Sequence, residues 1–300
     1  MVRQKPAKLL SPVRIWVPPK LLLHHMLFLV STPIGNLQDF SPRAVSTLQS
    51  CDYILCEDTR HSLPLLLHFE IRKKLISFHQ HNEQQRTQEV LSDLREGKTI
   101  GLISDAGTPG IADPGAKLVE ACRSEGLPVS GIPGACAAIL ALSLSGLETA
   151  RFQFYGFLPK ASNELRNTLS NILTYEHTTI CYESPRRLID VLKLLDEMSP
   201  NRKIVICREL TKLHEEIITG HANELFIKLK DLEIRGEIVL LISGNHVTTP
   251  DDLCQLSPQE HVAHLQQTYG ISQLDAIKLA AKTRGLHKRE IYKIIHCSEE

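Results

Sequence analysis

The chain has 300 residues, 42% of them hydrophobic, enough for about two domains with full cores, and no apolar run approaches the ~18 residues of a membrane span. Eight cysteines without a Cys-x-x-Cys pair, Cys51 and Cys56 being the closest, exclude a disulfide frame and a zinc site and fit scattered thiols in a reducing, cytoplasmic setting. The 34 Lys/Arg balance 34 Asp/Glu, but residues 1–25 hold five of the bases and no acid, which leaves residues 26–300 at 29 against 34, or −5.

Residues 1–25 are Pro-rich and basic without an apolar h-region, so no secretory signal is indicated. They read as a disordered or non-native extension, with a transit peptide as the alternative, and Met26 as the functional beginning. From Met26 onward the strands LFLVSTP, YILCEDTR, KLISFHQH, TIGLIS and PVSGIPG alternate with helical patterns over residues 42–49, 84–95 and 115–124. Such alternation predicts a mainly parallel sheet with helices on both faces. After a boundary at residues 146–150, FQFYGFLP, TTICYES, KIVICREL, HEEIITG and GEIVLLISG offer more strands per helix and predict a mixed sheet. NHVTTPDD reads as a linker, and helical patterns beginning near Pro258, Ser272 and Lys288 predict a small helical tail. The expected division is an α/β domain over residues 26–147, a second over 148–246, and a helix-turn-helix-like tail over 250–300.

Three Gly/Pro loops follow strands of the first half: STPIGN, ISDAGTPGIADPG and GIPGACAA. Ligands of open α/β sheets bind outside the carboxyl ends of the strands, so these loops predict a ligand that touches main chain, against the alternative of plain tight turns. The phosphate-binding pattern G-x-x-x-x-G-K-[ST] is absent, and Gly107, Gly110 and Gly115 do not match G-x-G-x-x-G, which argues against a nucleoside triphosphate or NAD.

STPIGNL, CEDTRH, HQHNE, LISDAGTPGIADPG, PGACAAILALS, FYGFLP, YESPRR and RELTK occur in this order, and together they closely resemble the ribosomal RNA small subunit methyltransferase I family of the tetrapyrrole methylase superfamily. The resemblance runs from about residue 27 to 244 and continues into the tail; residues 1–25 have no counterpart in it. It implies a class III methyltransferase of two α/β domains, working as a homodimer, with S-adenosylmethionine in the interdomain cleft. The implied reaction is 2′-O-methylation of a cytidine ribose in the decoding region of 16S ribosomal RNA, within the small subunit, with no metal and no membrane partner. A small-molecule tetrapyrrole methylase and a non-catalytic RNA-binding protein are the alternatives.

The donor pocket is then expected to use Pro33 and Gly35, then Ser104, Asp105, Ala106, Gly107, Thr108 and Pro109, then Pro133 and Gly134, together with Tyr182. Glycines there permit close approach, and Asp105 can accept from the donor or simply form a turn. Asp113, ahead of the next helix, reads as an N-cap. A ribose hydroxyl must lose its proton on methylation, which calls for a base; Glu57, Asp58, His79 and Glu183 are the candidates. If the strand of YILCEDTRH continues, Glu57 and Asp58 point to opposite faces, one toward the acceptor and the other toward Arg60. His79 and His81 share a strand face and read as acceptor contacts or ordinary surface, with Asn82 beside them.

RNA phosphates are assigned to Arg60, Arg186, Arg187 and Arg208. Arg186 and Arg187 oppose the dipole of a helix starting at Pro185, which favours a bound anion over a pair with Glu183. RELTK, with Glu209 and Lys212, reads equally as a salt bridge. In the tail, Lys288, Arg289 and Lys293 form a basic face opposite Ile291, Ile294 and Ile295, a further RNA contact or a solvated surface.

Overall fold

The computed structural model describes residues 25–245, 256–269 and 271–296. The extension over residues 1–24 and nearly all of the NHVTTPDD linker lie outside the described residues. The first sheet holds β1 (Leu27–Val30), β2 (Tyr53–Cys56), β3 (Lys74–Ser77), β4 (Ile100–Leu102) and β5 (Val129–Ile132), all parallel, in the order β3-β2-β4-β1-β5. Its central strands are continuous apolar runs because both faces are covered. Phe28 and Ile54 pack on one side against Leu48 of α1 (Pro42–Ser50), while Leu27 and Leu55 pack on the other against Leu91 of α3 (Glu83–Arg95) and Leu118 of α4 (Ala116–Ser124). Between β2 and β3 lies α2 (Thr59–His68).

The second sheet is mixed, as its larger number of strands per helix predicts: β6 (Phe152–Phe157), β7 (Thr178–Glu183), β8 (Lys203–Arg208), β9 (Glu216–His221) and β10 (Ile238–Ile242), in the order β6-β7-β10-β8-β9 with only β6 and β7 parallel. One face is covered by α6 (Ser162–Thr174), α7 (Pro185–Met198) and α8 (Ala222–Leu229). The other face carries Ile180, Val205, Val239 and Leu241, and these pack on Ala138, Ala141 and Leu142 of α5 (Ala137–Leu144) and on Ile34. This explains why the sequence of α5, AAILALSL, has no polar stripe: the helix closes one sheet onto the other.

The tail is a three-helix unit of α9 (Pro258–Tyr269), α10 (Gln273–Thr283) and α11 (Lys288–His296) around Val262, Leu265, Ala276, Ile277, Ala280, Ala281 and Ile291. Gly285 turns the chain between α10 and α11 at φ +66°. The expected apolar face is narrower than the sequence implies: Ile291 is buried and Ile295 packs partly, but Ile294 is 39% exposed. Residues 291 and 295, four apart, share the helix face that meets the tail's core, and Ile294 lies off that face. Among the described residues no helix is long and apolar enough to cross a membrane.

Candidate active site

The three Gly/Pro loops meet at the carboxyl ends of β1, β4 and β5. Thr32 and Gly107 exchange backbone bonds in both directions, 2.8 Å from the Thr32 N–H and 3.2 Å from the Gly107 N–H. Thr32 Oγ1 donates to the Ser104 carbonyl at 3.2 Å, and Thr108 Oγ1 donates to the Ala135 carbonyl at 3.0 Å while lying 3.0 Å from Ser31 Oγ. The packing is tight enough to require glycine: a Cβ on Gly134 would lie 2.8 Å from that of Ser31, and Gly107 sits at φ +83°. Ser104 is buried and holds the turn through a bond from its Oγ to the Gly107 carbonyl at 3.1 Å.

These loops form one wall of a cavity of about 360 Å³, and the second sheet forms the other through Tyr182, Glu183, Cys207, Ile238 and Val239. Of the residues assigned to the donor, Asp105, Ala106, Gly107, Thr108 and Tyr182 line it. Pro33, Gly35, Ser104, Pro109, Pro133 and Gly134 stand in the supporting loops; Gly35 is pressed against the Lys212 side chain, where a Cβ would have no room. Lining residues that the sequence reading missed include Ile34, Asp113, Cys136, Leu210 and Glu237. Burial pushes the Tyr182 phenol up to about 12, against a backbone bond with Ala138 at the start of α5.

Among the described residues the lining carries Asp105, Asp113, Glu183 and Glu237 and no lysine, arginine or histidine. The N-cap reading of Asp113 is corrected here: α4 begins only at Ala116, with Gly115 at its cap and no side-chain cap bond. The Gly115 N–H goes instead to Glu83 Oε1 at 3.1 Å, a buried carboxylate of the HQHNE segment. Asp113 turns into the cavity, where burial and then the charges of Glu57 and Asp105 push it up to about 6.

YILCEDTRH does not run on as a strand. β2 stops at Cys56, and Asp58 caps α2 by accepting the Arg60 N–H at 2.8 Å, so Glu57 and Asp58 are not alternate positions of one strand. Arg60 also bonds the Asp58 carboxylate, the contact that holds Asp58 down at about 2. Glu57 does not line the cavity, yet its carboxyl is raised by burial and then by Asp105. β3 likewise stops at Ser77, so His79 and His81 share a turn rather than a strand face, their ring centroids 5.8 Å apart. Asn82 builds that turn: its Oδ1 accepts the His79 N–H at 2.8 Å and its Nδ2 donates to the Ser77 carbonyl at 3.1 Å. Nδ1 of His79 is buried without a hydrogen-bond partner among the described residues.

Glu183 is 3% exposed; its Oε1 accepts the Ser184 N–H at 2.7 Å and lies 3.3 Å from Arg187 Nη1, while Oε2 has no hydrogen-bond partner among the described residues. Arg187 is engaged within the fold, since it also donates to the carbonyls of Leu158, at 3.1 Å, and Pro159. Arg186 is exposed on the first turn of α7, beside a hollow that adjoins the cavity through Pro185 and Gly236. Arg208 pairs with Glu216 across β8 and β9 at 2.9 Å, and Lys212 with Glu209 and Glu237, each at 2.8 Å. Lys288, Arg289 and Lys293 are exposed on α11. Among the described residues no group of three or more His, Cys, Asp or Glu side chains is arranged to hold a metal ion.

Residues 26–225 match the family of tetrapyrrole (corrin/porphyrin) methylases. A protein named ribosomal RNA small subunit methyltransferase I from Halalkalibacterium halodurans is 45% identical over 90% of this chain and 94% of its own length. The protein of the same name from Escherichia coli O157:H7 is 43% identical over 89% of this chain and 93% of its own. Among solved structures, diphthine synthase matches 73% of this chain and 89% of its own, with a TM-score of 0.57 at 12% identity. A uroporphyrin-III C-methyltransferase from Thermus thermophilus in complex with S-adenosylhomocysteine matches 73% of this chain and 97% of its own, with a TM-score of 0.51 at 16% identity. These two likenesses show the fold.

Proposed function

The chain belongs to the ribosomal RNA small subunit methyltransferase I family of the tetrapyrrole methylases, and we propose that it transfers a methyl group to the 2′-hydroxyl of a cytidine ribose in the decoding region of 16S ribosomal RNA. The observation that carries this is the convergence of the segments 105–113, 136–137 and 182–185 on one cavity, in a chain 45% identical to a methyltransferase of that name. S-adenosylmethionine is the methyl donor, and the residues present fit it. The volume of about 360 Å³ lies within the range of small-molecule pockets, the glycine cradle admits main-chain contact, and the acidic lining suits a cation. Bound there, the donor supplies an electrophilic methyl group on a sulfonium.

Asp105, Gly107, Thr108 and the main chain around Ala137 hold the donor, and Tyr182 and Val239 shield it from water on the opposite side. Positioning and water exclusion then supply much of the acceleration. In this proposal residues 26–147 form the donor wall, residues 148–246 the facing wall, and residues 250–300 add RNA affinity through Lys288, Arg289 and Lys293. Arg60, His81 and Arg186, all exposed, are the remaining RNA contacts proposed. The protein acts in the cytoplasm as a homodimer; Ile139 and Phe157, 51% and 63% exposed, are apolar surface that a second copy would cover.

Mapping ribose methylation in small-subunit RNA, as naked RNA and as assembled subunits, with labelled donor and with or without the protein, tests the reading. A single 2′-O-methylcytidine is the expected product; methylation of a base, or of a tetrapyrrole alone, would sink it. A second expectation concerns the cradle. Gly134→Ala places a methyl group against Ser31 and forces two donor loops apart, so donor affinity measured by calorimetry should fall about tenfold or more, with a loss of stability of about 1–3 kcal/mol that leaves the protein folded. An unchanged dissociation constant would remove the loop 133–137 from the donor site.

A further inference from the structure

Most carboxylates in or beside the cavity are already engaged. Asp58 caps α2 and binds Arg60. Oε1 of Glu183 takes the Ser184 N–H and faces Arg187. Glu237 pairs with Lys212 at 2.8 Å. Asp105 accepts the Asp58 N–H at 3.4 Å and heads the donor loop. Asp113 differs: it lines the cavity, and among the described residues it meets neither a cation nor a backbone N–H, only the Ser104 hydroxyl.

The backbone that puts Asp113 there is held against its own preference. Within six residues, Gly110, Ala112 and Gly115 take φ of +80°, +64° and +128°. Ala112 is the costly one, because a left-handed alanine is disfavoured by about 1 kcal/mol or more. A Cβ on Gly115 would meet Leu102 Cδ2 at 2.7 Å, and Glu83 anchors the Gly115 N–H from the other side. An N-cap would need none of this. The strain points the carboxylate at the space between the two sheets, close enough to Tyr182 on the opposite wall for its charge to act on that phenol.

We propose that Asp113 is the general base of the methyl transfer, taking the proton of the acceptor ribose hydroxyl; this rests on the reaction proposed above. The hydroxyl oxygen forms the new O–C bond while the C–S bond breaks and its electron pair stays on sulfur. The hydroxyl proton passes to the Asp113 carboxylate and from there to water. The groups facing Asp113 are all acids or neutral: Glu57 after β2, Asp105 in its own loop, and Tyr182, Glu183 and Glu237 across the cavity. With Asp113 pushed up to about 6, chiefly by burial and next by Glu57, the group is ionised at pH 7.5 yet far more basic than an exposed aspartate.

The test uses the full-length protein with small-subunit RNA as acceptor. Asp113→Asn should bind the donor within about tenfold of wild type by calorimetry, which also reports its folding, and lose single-turnover methyl transfer by about 10²–10⁴-fold. The wild-type rate should fall about tenfold per pH unit below about 6, since the base works only when ionised. Glu57→Gln removes a neighbouring negative charge, so that acid limb should move to lower pH. The ¹³C carboxyl resonance of Asp113 should move with it in the protein without RNA, a readout independent of turnover. Wild-type rates in Asp113→Asn, or a limb and a resonance that ignore Glu57→Gln, would overturn the assignment while leaving the methyl transfer standing. Wild-type protein that transfers no methyl group to small-subunit RNA would overturn the reaction and the assignment together.

Discussion

Replacing Arg187 with alanine is expected to destabilise the protein by about 3 kcal/mol, the lower end of the range for breaking a buried pair, because the arginine itself is 24% exposed. Two losses combine. Glu183, 3% exposed, would keep a charge with no cation beside it, and the carbonyls of Leu158 and Pro159 would lose the donor that ties the first turn of α7 to the end of β6. The pH dependence follows from the Glu183 carboxyl, raised first of all by burial. The folded state therefore binds this proton more tightly than the unfolded chain, and more so once Arg187 is gone. Acidification neutralises the orphaned carboxylate, so the gap between variant and wild type should narrow as pH falls through that raised value and widen again above it. Urea melts at several pH values measure this, and adding Glu183→Gln to the variant should recover part of the loss. Arg186→Ala, one residue away and exposed, should change stability by no more than about 0.5 kcal/mol while weakening RNA binding at unchanged donor affinity. Equal stability of the Arg187 variant and wild type would return Arg187 to the RNA surface.

The contrast between Arg186 and Arg187 shows where the sequence stops being legible. Two arginines on the first turn of a helix oppose its dipole, which correctly signals that something anionic is near. The anion for Arg187 is a carboxylate four residues earlier, and only the fold shows that it is buried to 3% exposure. The strands were readable because β1, β2 and β10 are unbroken apolar runs, and the glycine loops because Gly107 takes φ +83° and a Cβ on Gly134 would crowd Ser31. Polar positions one or two residues beyond a strand were not. β2 gives way to a helix because Asp58 caps it, and β3 ends because Asn82 folds back on Ser77, so alternation failed for Glu57 and Asp58 and again for His79 and His81. Asp113 misled for a related reason. An aspartate before Pro and Gly fits a cap or a turn equally well, and a Glu83 bond from another helix decides between them.

Deleting residues 250–300 should leave donor affinity unchanged and lower the affinity for small-subunit RNA by tenfold or more. Among the described residues the tail's core draws on the tail alone, through Val262, Leu265, Ala276, Ile277, Ala280, Ala281 and Ile291 with Leu256, Ile271 and Ile295 against them, so neither sheet loses a buried side chain from that cluster. What is lost is the exposed Lys288, Arg289 and Lys293, in a protein whose residues 26–300 carry a formal charge of −5 and whose cavity lining is acidic. Each single-stranded phosphate that a cation neutralises steepens the dependence of log K on log salt by about 0.7, so losing three such contacts should flatten the slope by about 2. A salt titration of RNA binding, alongside calorimetry with the donor, separates the possibilities. The same slope and full methylation in the truncated protein would make the basic face of α11 plain solvated surface. Loss of folding would instead mean that the exposed apolar side chains of the tail, Leu279, Tyr292 and Ile294 among them, are covered by a second copy of the chain. The helix pair joined at Gly285 would then be a brace between copies rather than a hand laid on RNA.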